Sequence, residues 1–259
     1  MDNDDKQIGR ILSRREVLAL LGAAGAGALA ARVSAQSGAA ASSLVSSPGG
    51  SRGPTMALPA CVVRPQQTEG PYFIDEKLNR ADIRSDPING STKDGVPLDL
   101  ELRVARVGAG TCVPLAGAMV DLWQCDALGV YSDVRDTNGL FNTVGQKFLR
   151  GYQLTDDKGS AKFTTIYPGW YQGRTVHVHF KIRTAGSGGR SYEFVSQLYF
   201  DDKLTDELMA RAPYATKGQG RWKNDRDGIF QRGGSQLMLA LDKRGNGYGG
   251  TFDIGLQMA

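Results

Sequence analysis

An all-β fold is predicted for most of this chain: an antiparallel β-sandwich with long loops and one short helix. Three observations predict it. Apolar and polar residues alternate with a period of two in several short runs. Glycine is abundant, at 34 of 259 residues, and Gly-bearing turns separate those runs. Only one short stretch carries helical spacing. The first strand runs from Leu98, where Leu98, Leu100, Leu102 and Val104 alternate with Asp99, Glu101 and Arg103. Ala118 to Gln124 is a second, with Val120 and Leu122 on one face, and Asp126-Ala127-Leu128-Gly129 reads as a turn leading to Val130-Tyr131. Phe148 to Thr155 and Ala161 to Ile166 flank Asp156-Asp157-Lys158-Gly159, a hairpin signal, and Pro168-Gly169 ends the second of them. Val176, Val178, Phe180 and Ile182 then alternate with His177, His179 and Lys181, and Tyr192 to Phe200 follows. Thr205 to Ala210 is the helical stretch, with Leu204 and Leu208 one turn apart. Ser235 to Leu241 and Thr251 to Leu256 are read as strands around the turn Lys243-Arg244-Gly245-Asn246-Gly247.

The N-terminal part reads differently. Residues 1–35 have the form of a Tat-type signal segment: Arg14-Arg15 precede an apolar run from Val17 to Ala31, and Val33-Ser34-Ala35 is a cleavage-type sequence. The run of about 15 residues is shorter than the roughly 20 a membrane span needs, so no stable span is expected after cleavage. An uncleaved membrane anchor or an exposed helix is the alternative. Residues 36–55 are Ser, Gly, Ala and Pro, the composition of a flexible linker. That leaves residues 56–259 as one folded domain, exported to the periplasm or beyond. A composition of 41% hydrophobic and 22% charged residues excludes a chain disordered throughout. The net charge of +4 is too small and too scattered for a nucleic-acid partner. Of the three cysteines, Cys61, Cys112 and Cys125, an exported setting permits one intrachain disulfide and leaves one thiol free or paired between chains; three small buried hydrophobes are the alternative.

The scarcest residue carries the chemistry. The chain has two histidines, both in Val176-His177-Val178-His179-Phe180. Residues two apart on a strand share a face, so both imidazoles point one way while the valines and the phenylalanine point into the core. Two such imidazoles form a metal clamp used by zinc, copper and iron alike, and a plain pair of surface histidines is the other possibility. No third histidine exists, and Cys125 has no C-x-x-C partner, so further ligands must be carboxylate or phenolate. Just upstream, Ile166-Tyr167-Pro168-Gly169-Trp170-Tyr171-Gln172-Gly173-Arg174 offers two tyrosines and an arginine. A tyrosinate has a high intrinsic pKa, and a highly charged Lewis acid such as Fe(III) holds it ionised at neutral pH.

These residues carry a family resemblance. Gly129-Val130-Tyr131, Thr164 through Tyr171, and Arg174 through Phe180 resemble the intradiol ring-cleavage dioxygenases, most closely the protocatechuate 3,4-dioxygenase-like branch. Thr68-Glu69-Gly70-Pro71-Tyr72-Phe73 and Ser196-Gln197-Leu198-Tyr199-Phe200 match as well. The resemblance implies a β-sandwich with long active-site loops and a mononuclear non-haem Fe(III) held by two tyrosines and two histidines. It implies Tyr131, Tyr171, His177 and His179 as metal ligands, Tyr171 being the one that leaves the metal. It implies Arg174 as the group that steadies charge on the substrate ring, and Gln197 and Tyr72 as pocket residues. The implied partners are a catecholic substrate and O2, with no organic cofactor; members of the family are often oligomeric. Charge counting agrees, since Fe(III), two tyrosinates and one hydroxide sum to zero, which a partly buried site favours. The family usually reads Arg-Pro-Ala-His, and here Thr175-Val176 stand in the middle two places. The residues also admit plainer roles: Tyr131 as a sandwich cap, Tyr171 as a loop anchor, Arg174 as a surface charge, Gln197 as a backbone partner, Tyr72 and Trp123 as packing. The competing functions are a non-catalytic secreted β-sandwich chelating Zn²⁺ or Cu²⁺, and a metal-water hydrolase, which lacks a placed general-base carboxylate.

Overall fold

The structure, a computed structural model, describes residues 62–108, 111–186 and 191–258. The expected signal segment, the linker and Cys61 lie outside the described residues. Among the described residues nine strands form two sheets, as the alternating runs require. One sheet contains β1 (Pro97–Gly108), β2 (Thr111–Pro114), β5 (Ser160–Ile166), β8 (Asp242–Arg244) and β9 (Gly247–Gln257). The other has the order β4 (Arg150–Leu154), β3 (Met119–Trp123), β6 (His177–Ala185), β7 (Ser191–Tyr199). β1 is long enough to take two neighbours on one edge, β5 along Pro97–Arg103 and β2 along Ala105–Gly108.

Among the named strands the pairing is antiparallel except at one place. β1 and β9 pair in parallel from Leu98↔Tyr248 to Val107↔Gln257. No local sequence signal marks this pairing, because it joins the first and last long strands of the domain. Alternation places Leu98, Leu100, Leu102 and Val104 on the inner face of the first sheet, with Val120, Leu122, Val178, Phe180 and Ile182 on the inner face of the second, all of them buried. Phe180 meets Phe194 within its own sheet at 6.0 Å between ring centroids and Phe252 of the facing sheet at 6.3 Å. Burial of such side chains contributes about 1.5–3 kcal/mol each and fixes the register of β6.

Three local expectations shift. The strand predicted from Phe148 begins at Arg150, because Leu149 adopts a left-handed backbone (φ 53°) and donates its N–H to Ile83 O. Helix α1 spans Asp202–Met209, starting before Thr205, because the Asp201 carboxylate accepts from Leu204 N at its N-cap. A second one-turn helix, α2 (Gly228–Gln231), and three short 3-10 turns accompany it. The segment read as a strand at Ser235–Leu241 instead turns at Gly233 (φ 104°) into a 3-10 turn, Gly234–Gln236. Its apolar residues Leu237 and Leu239 are buried all the same, bonded to the end of β7 through Tyr199 N–Leu237 O and Leu239 N–Tyr199 O. No helix among the described residues is long and apolar enough to cross a membrane.

Two loops reach over the outer face of the second sheet, and they dovetail. In the first, Asp126 Oδ1 accepts from Leu128 N and Val130 N, and Gly129 takes φ 79°, which closes the turn before Tyr131. In the second, Gly169 donates to Asp126 O at 3.0 Å, and the thiol of Cys125 reaches Gly169 O at 3.4 Å. A Cβ on Gly169 would fall on the carbonyl of Ala127 and within 2.7 Å of Asp126 O, both of them backbone. The contact sets the distance between the Tyr131 and Tyr171 loops. Gly169→Ala is therefore expected to cost about 1–3 kcal/mol in a denaturant melt, and to weaken metal retention although every candidate ligand is intact.

Candidate active site

The site grows from the strand register. His179 of β6 lies opposite Trp123 of β3 and Gln197 of β7, and His177 lies opposite Tyr199. These five side chains share the outer face of the sheet, while Val178 and Phe180 point into the core, as alternation dictates. That outer face is not open to solvent. The segment at Tyr72, the two dovetailed loops and the 224–231 segment cover it, so His177 and His179 are each only 2% exposed.

Three candidate donors lie at ligand-to-ligand spacing. His177 Nε2 and His179 Nε2 are 3.0 Å apart, and Tyr171 Oη is 3.0 Å from His177 Nε2. The fourth, Tyr131, stands edge-on to both Tyr171 and His179, with ring centroids at 5.8 and 6.2 Å. Its hydroxyl is buried and makes no ordinary hydrogen bond. His177 Nδ1 lies 2.6 Å from Thr175 O; a carbonyl only accepts, so Nδ1 carries the proton and Nε2 presents a lone pair. That single lone pair faces Tyr171 Oη, His179 Nε2 and, at 3.5 Å, Arg174 Nη1. The Nε2 atoms of two neutral imidazoles, that of His177 presenting a lone pair, stand beside a buried phenol and fit a cation held by oxygen and nitrogen donors. Among the described residues no group of three or more His, Cys, Asp and Glu is arranged to hold a metal. The donor set here is two imidazoles and two phenols.

The electrostatics follow from burial. It lowers both imidazoles well below the ordinary histidine value, helped by the Arg174 charge at His177, and by His177, Arg174 and Arg150 at His179, so both rings are neutral. Burial also raises Tyr131 well above the ordinary phenol value, with Tyr171 adding to the shift. Without a cation, that phenol keeps its proton. Burial alone would lower the Arg174 guanidinium, but Tyr171 and Asp227 overcome it and hold it cationic.

All seven residues singled out in the sequence gather at this face. Tyr72 donates to Asp136 Oδ1 at 2.6 Å, and its ring packs on Tyr131 at 4.7 Å. Arg174 donates through Nε to Asp227 Oδ2 at 2.9 Å and through Nη2 to Gln197 Oε1 at 2.5 Å. Gln197 also accepts from Tyr199 Oη and donates to Thr68 O, which ties the arginine to the N-terminal segment. Tyr167, the other tyrosine of its loop, is remote in role: its hydroxyl pairs with Thr205 Oγ1 at 2.7 Å and its carbonyl accepts from Tyr214. Trp123, read as packing, is stacked on His179 at 4.9 Å with 10° between the planes. Asp227 and Arg150 were not visible in the sequence as site residues. Arg150 is buried and donates to the carbonyls of Ser132 and Tyr72, joining the neighbour of Tyr131 to the segment that packs on it. Cys125 is a buried free thiol, and Cys112 is disulfide-bonded.

Comparison with known proteins gives this arrangement its context. A sequence profile described as Dioxygenase matches residues 68–227. An intradiol ring-cleavage dioxygenase from Tetranychus urticae is 30% identical, with a TM-score of 0.64 over 76% of this chain and 95% of that one. The dioxygenase domain of a dioxygenase and carbohydrate-binding protein fusion from Streptomyces sp. SirexAA-E is also 30% identical, with a TM-score of 0.53 over 76% of this chain and 100% of that one. A catechol 1,2-dioxygenase of Candida albicans is 30% identical over 151 residues, which are 50% of this chain and 45% of that protein. The chain thus spans about half the length of the curated relatives it matches. The profile covers more than half of the 259 residues, and the likeness to the Tetranychus urticae dioxygenase extends over nearly all of that protein. This chain belongs to the intradiol ring-cleavage dioxygenase family.

Proposed function

We propose that this protein cleaves a catecholic ring between its two hydroxylated carbons, consuming O2 and giving a cis,cis-muconate-type diacid. Its cofactor is a mononuclear non-haem Fe(III) held by Tyr131, Tyr171, His177 and His179. The observation that carries the reading is the approach of three of these donors to about 3 Å of one another at a buried face. A ferric ion in that set supplies Lewis acidity toward both diol oxygens and draws electron density from the ring, making it reactive toward O2.

The residues divide the remaining work. Tyr171 is half-buried while the other three donors are buried, so it faces the substrate side. Its Oη is the base that takes a diol proton. Arg174, held cationic, lies 3.5 Å from His177 Nε2 and stabilises the negative charge that builds on the ring. Tyr72 and Trp123 wall the chamber on the Tyr131 and His179 sides and keep water from it. The imidazoles are already neutral and move no proton. The disulfide at Cys112, together with Arg14-Arg15 and the apolar run after them, supports work outside the cytoplasm, in an oxidising compartment.

Oxygen uptake with catechol, protocatechuate and hydroxyquinol, with metal analysis of the same sample, tests the reading. The expected product is an ultraviolet-absorbing diacid and not a yellow semialdehyde. The iron-loaded protein should be red-brown from phenolate-to-Fe(III) charge transfer, and a folded, colourless preparation that excludes iron would overturn the proposal. Tyr171→Phe should shift that band and lower kcat by roughly 10²- to 10⁴-fold, the loss expected for a positioned base. Loading has a proton signature too. Tyr131 is protonated beforehand and both histidines are neutral, so at least one proton should leave per ion bound. Iron affinity should accordingly rise with pH, which a pH-stat titration of the metal-free protein measures directly.

A further inference from the structure

We propose that Asp227 is a positioning residue of this site, setting the plane of the Arg174 guanidinium through a clamp closed from 53 residues farther along the chain. The consequence for catalysis rests on the ring-cleavage reading above; the clamp itself rests on geometry alone.

Asp227 is fully buried, and its two oxygens have separate tasks. Oδ1 caps helix α2, accepting from Ile229 N at 2.7 Å and Phe230 N at 3.1 Å. Oδ2 faces the site, accepting from Arg174 Nε at 2.9 Å and Thr175 N at 2.8 Å. On its other edge, the guanidinium donates through Nη2 to Gln197 Oε1. A planar fork held at Nε and Nη2 has no freedom left to rotate. Its remaining group, Nη1, is the one that lies beside His177 Nε2. Asp227 also supplies the counter-charge that makes a buried guanidinium tolerable next to a cation site.

The second bond to Oδ2 comes from the N–H of Thr175, a donor that a proline at this place could not supply. Thr175 Oγ1 adds a bond to Asn224 Oδ1 at 2.7 Å, and Asn224 Nδ2 bonds Phe200 O at 2.8 Å. The 224–227 segment is thereby fastened to the chain two residues before His177. Asp227 holds the arginine and the entry to the histidine strand with a single oxygen.

The test is Asp227→Asn, which keeps the volume and leaves one acceptor oxygen for two tasks. In the metal-free protein, with ¹⁵N-labelled arginine, the Nε–H of Arg174 should exchange slowly with solvent in the wild type and at least on the order of tenfold faster in the variant. In the iron-loaded protein, kcat should fall roughly tenfold to a hundredfold, the scale of a misplaced catalytic group. The charge-transfer band should persist, since all four proposed ligands remain. In an Arg174→Gln background, the same substitution should cost nothing further. Unchanged Nε–H exchange, or an equal loss of kcat in the Arg174→Gln background, would overturn the clamp. If Asp227→Asn fails to fold, Thr175→Pro removes the N–H bond to Oδ2 together with the Oγ1 bond to Asn224, and Thr175→Val removes the latter alone; Nε–H exchange should be faster in Thr175→Pro than in Thr175→Val, and equal exchange in the two would also overturn the proposal. Should the wild type cleave no diol, the functional reading falls, and the exchange comparison still decides the clamp.

Discussion

Everything in this molecule answers to one constraint: two imidazole nitrogens must be kept 3.0 Å apart at a buried face, with Tyr171 Oη equally near one of them. A buried polar atom without a partner costs about 1–3 kcal/mol. Tyr131 Oη and His179 Nδ1 both stand in that condition. Left to itself, such a cluster would relax by rotating its rings. The surroundings prevent it. The core beneath β6 fixes the strand, Thr175 O fixes the His177 ring by hydrogen bond, and the flat stack of Trp123 fixes His179, whose outer nitrogen has no acceptor. Rigidity here comes from packing where hydrogen bonds are missing.

The same burial shapes the charges. The Tyr131 phenol is pushed toward its neutral form and the imidazoles toward theirs, while the Arg174–Asp227 pair and Arg150 carry charge. Burial lowers Arg150 to about 10, yet its donors are used entirely on carbonyls and a hydroxyl, with no carboxylate bonded to it. A highly charged cation reverses the logic for the phenols, since its field favours the anionic form that burial opposes. Under the proposed ferric centre the same chamber would favour the Tyr131 tyrosinate that burial alone opposes.

The glycines at 129 and 169 connect these electrostatics to chain geometry. They let two loops touch backbone to backbone, which brings a tyrosine from before β4 and a tyrosine from after β5 to one place. Neither loop could do so with a side chain at the contact. The apolar run at Leu237–Leu239 serves a related end: it closes the sandwich beside Tyr199, under the segment that carries Asp227.

Much of this was present in the one-dimensional pattern. Alternation determined which face of β6 carries His177 and His179, because side chains on a strand must point to opposite sides. The Asp126–Gly129 and Asp156–Gly159 turns were legible because Asp and Gly have specific backbone uses. Tyr72, Tyr131, Tyr171, Arg174 and Gln197 could be picked out through the family motifs around them. Only the tertiary structure decided the rest. The parallel β1–β9 pairing, the Trp123 stack on His179, and the Asp227 and Arg150 clamps all join residues that are distant in the chain. Local propensity cannot encode such contacts: a buried aspartate has the same letter as an exposed one, and its role is set by which donors the fold brings to its two oxygens.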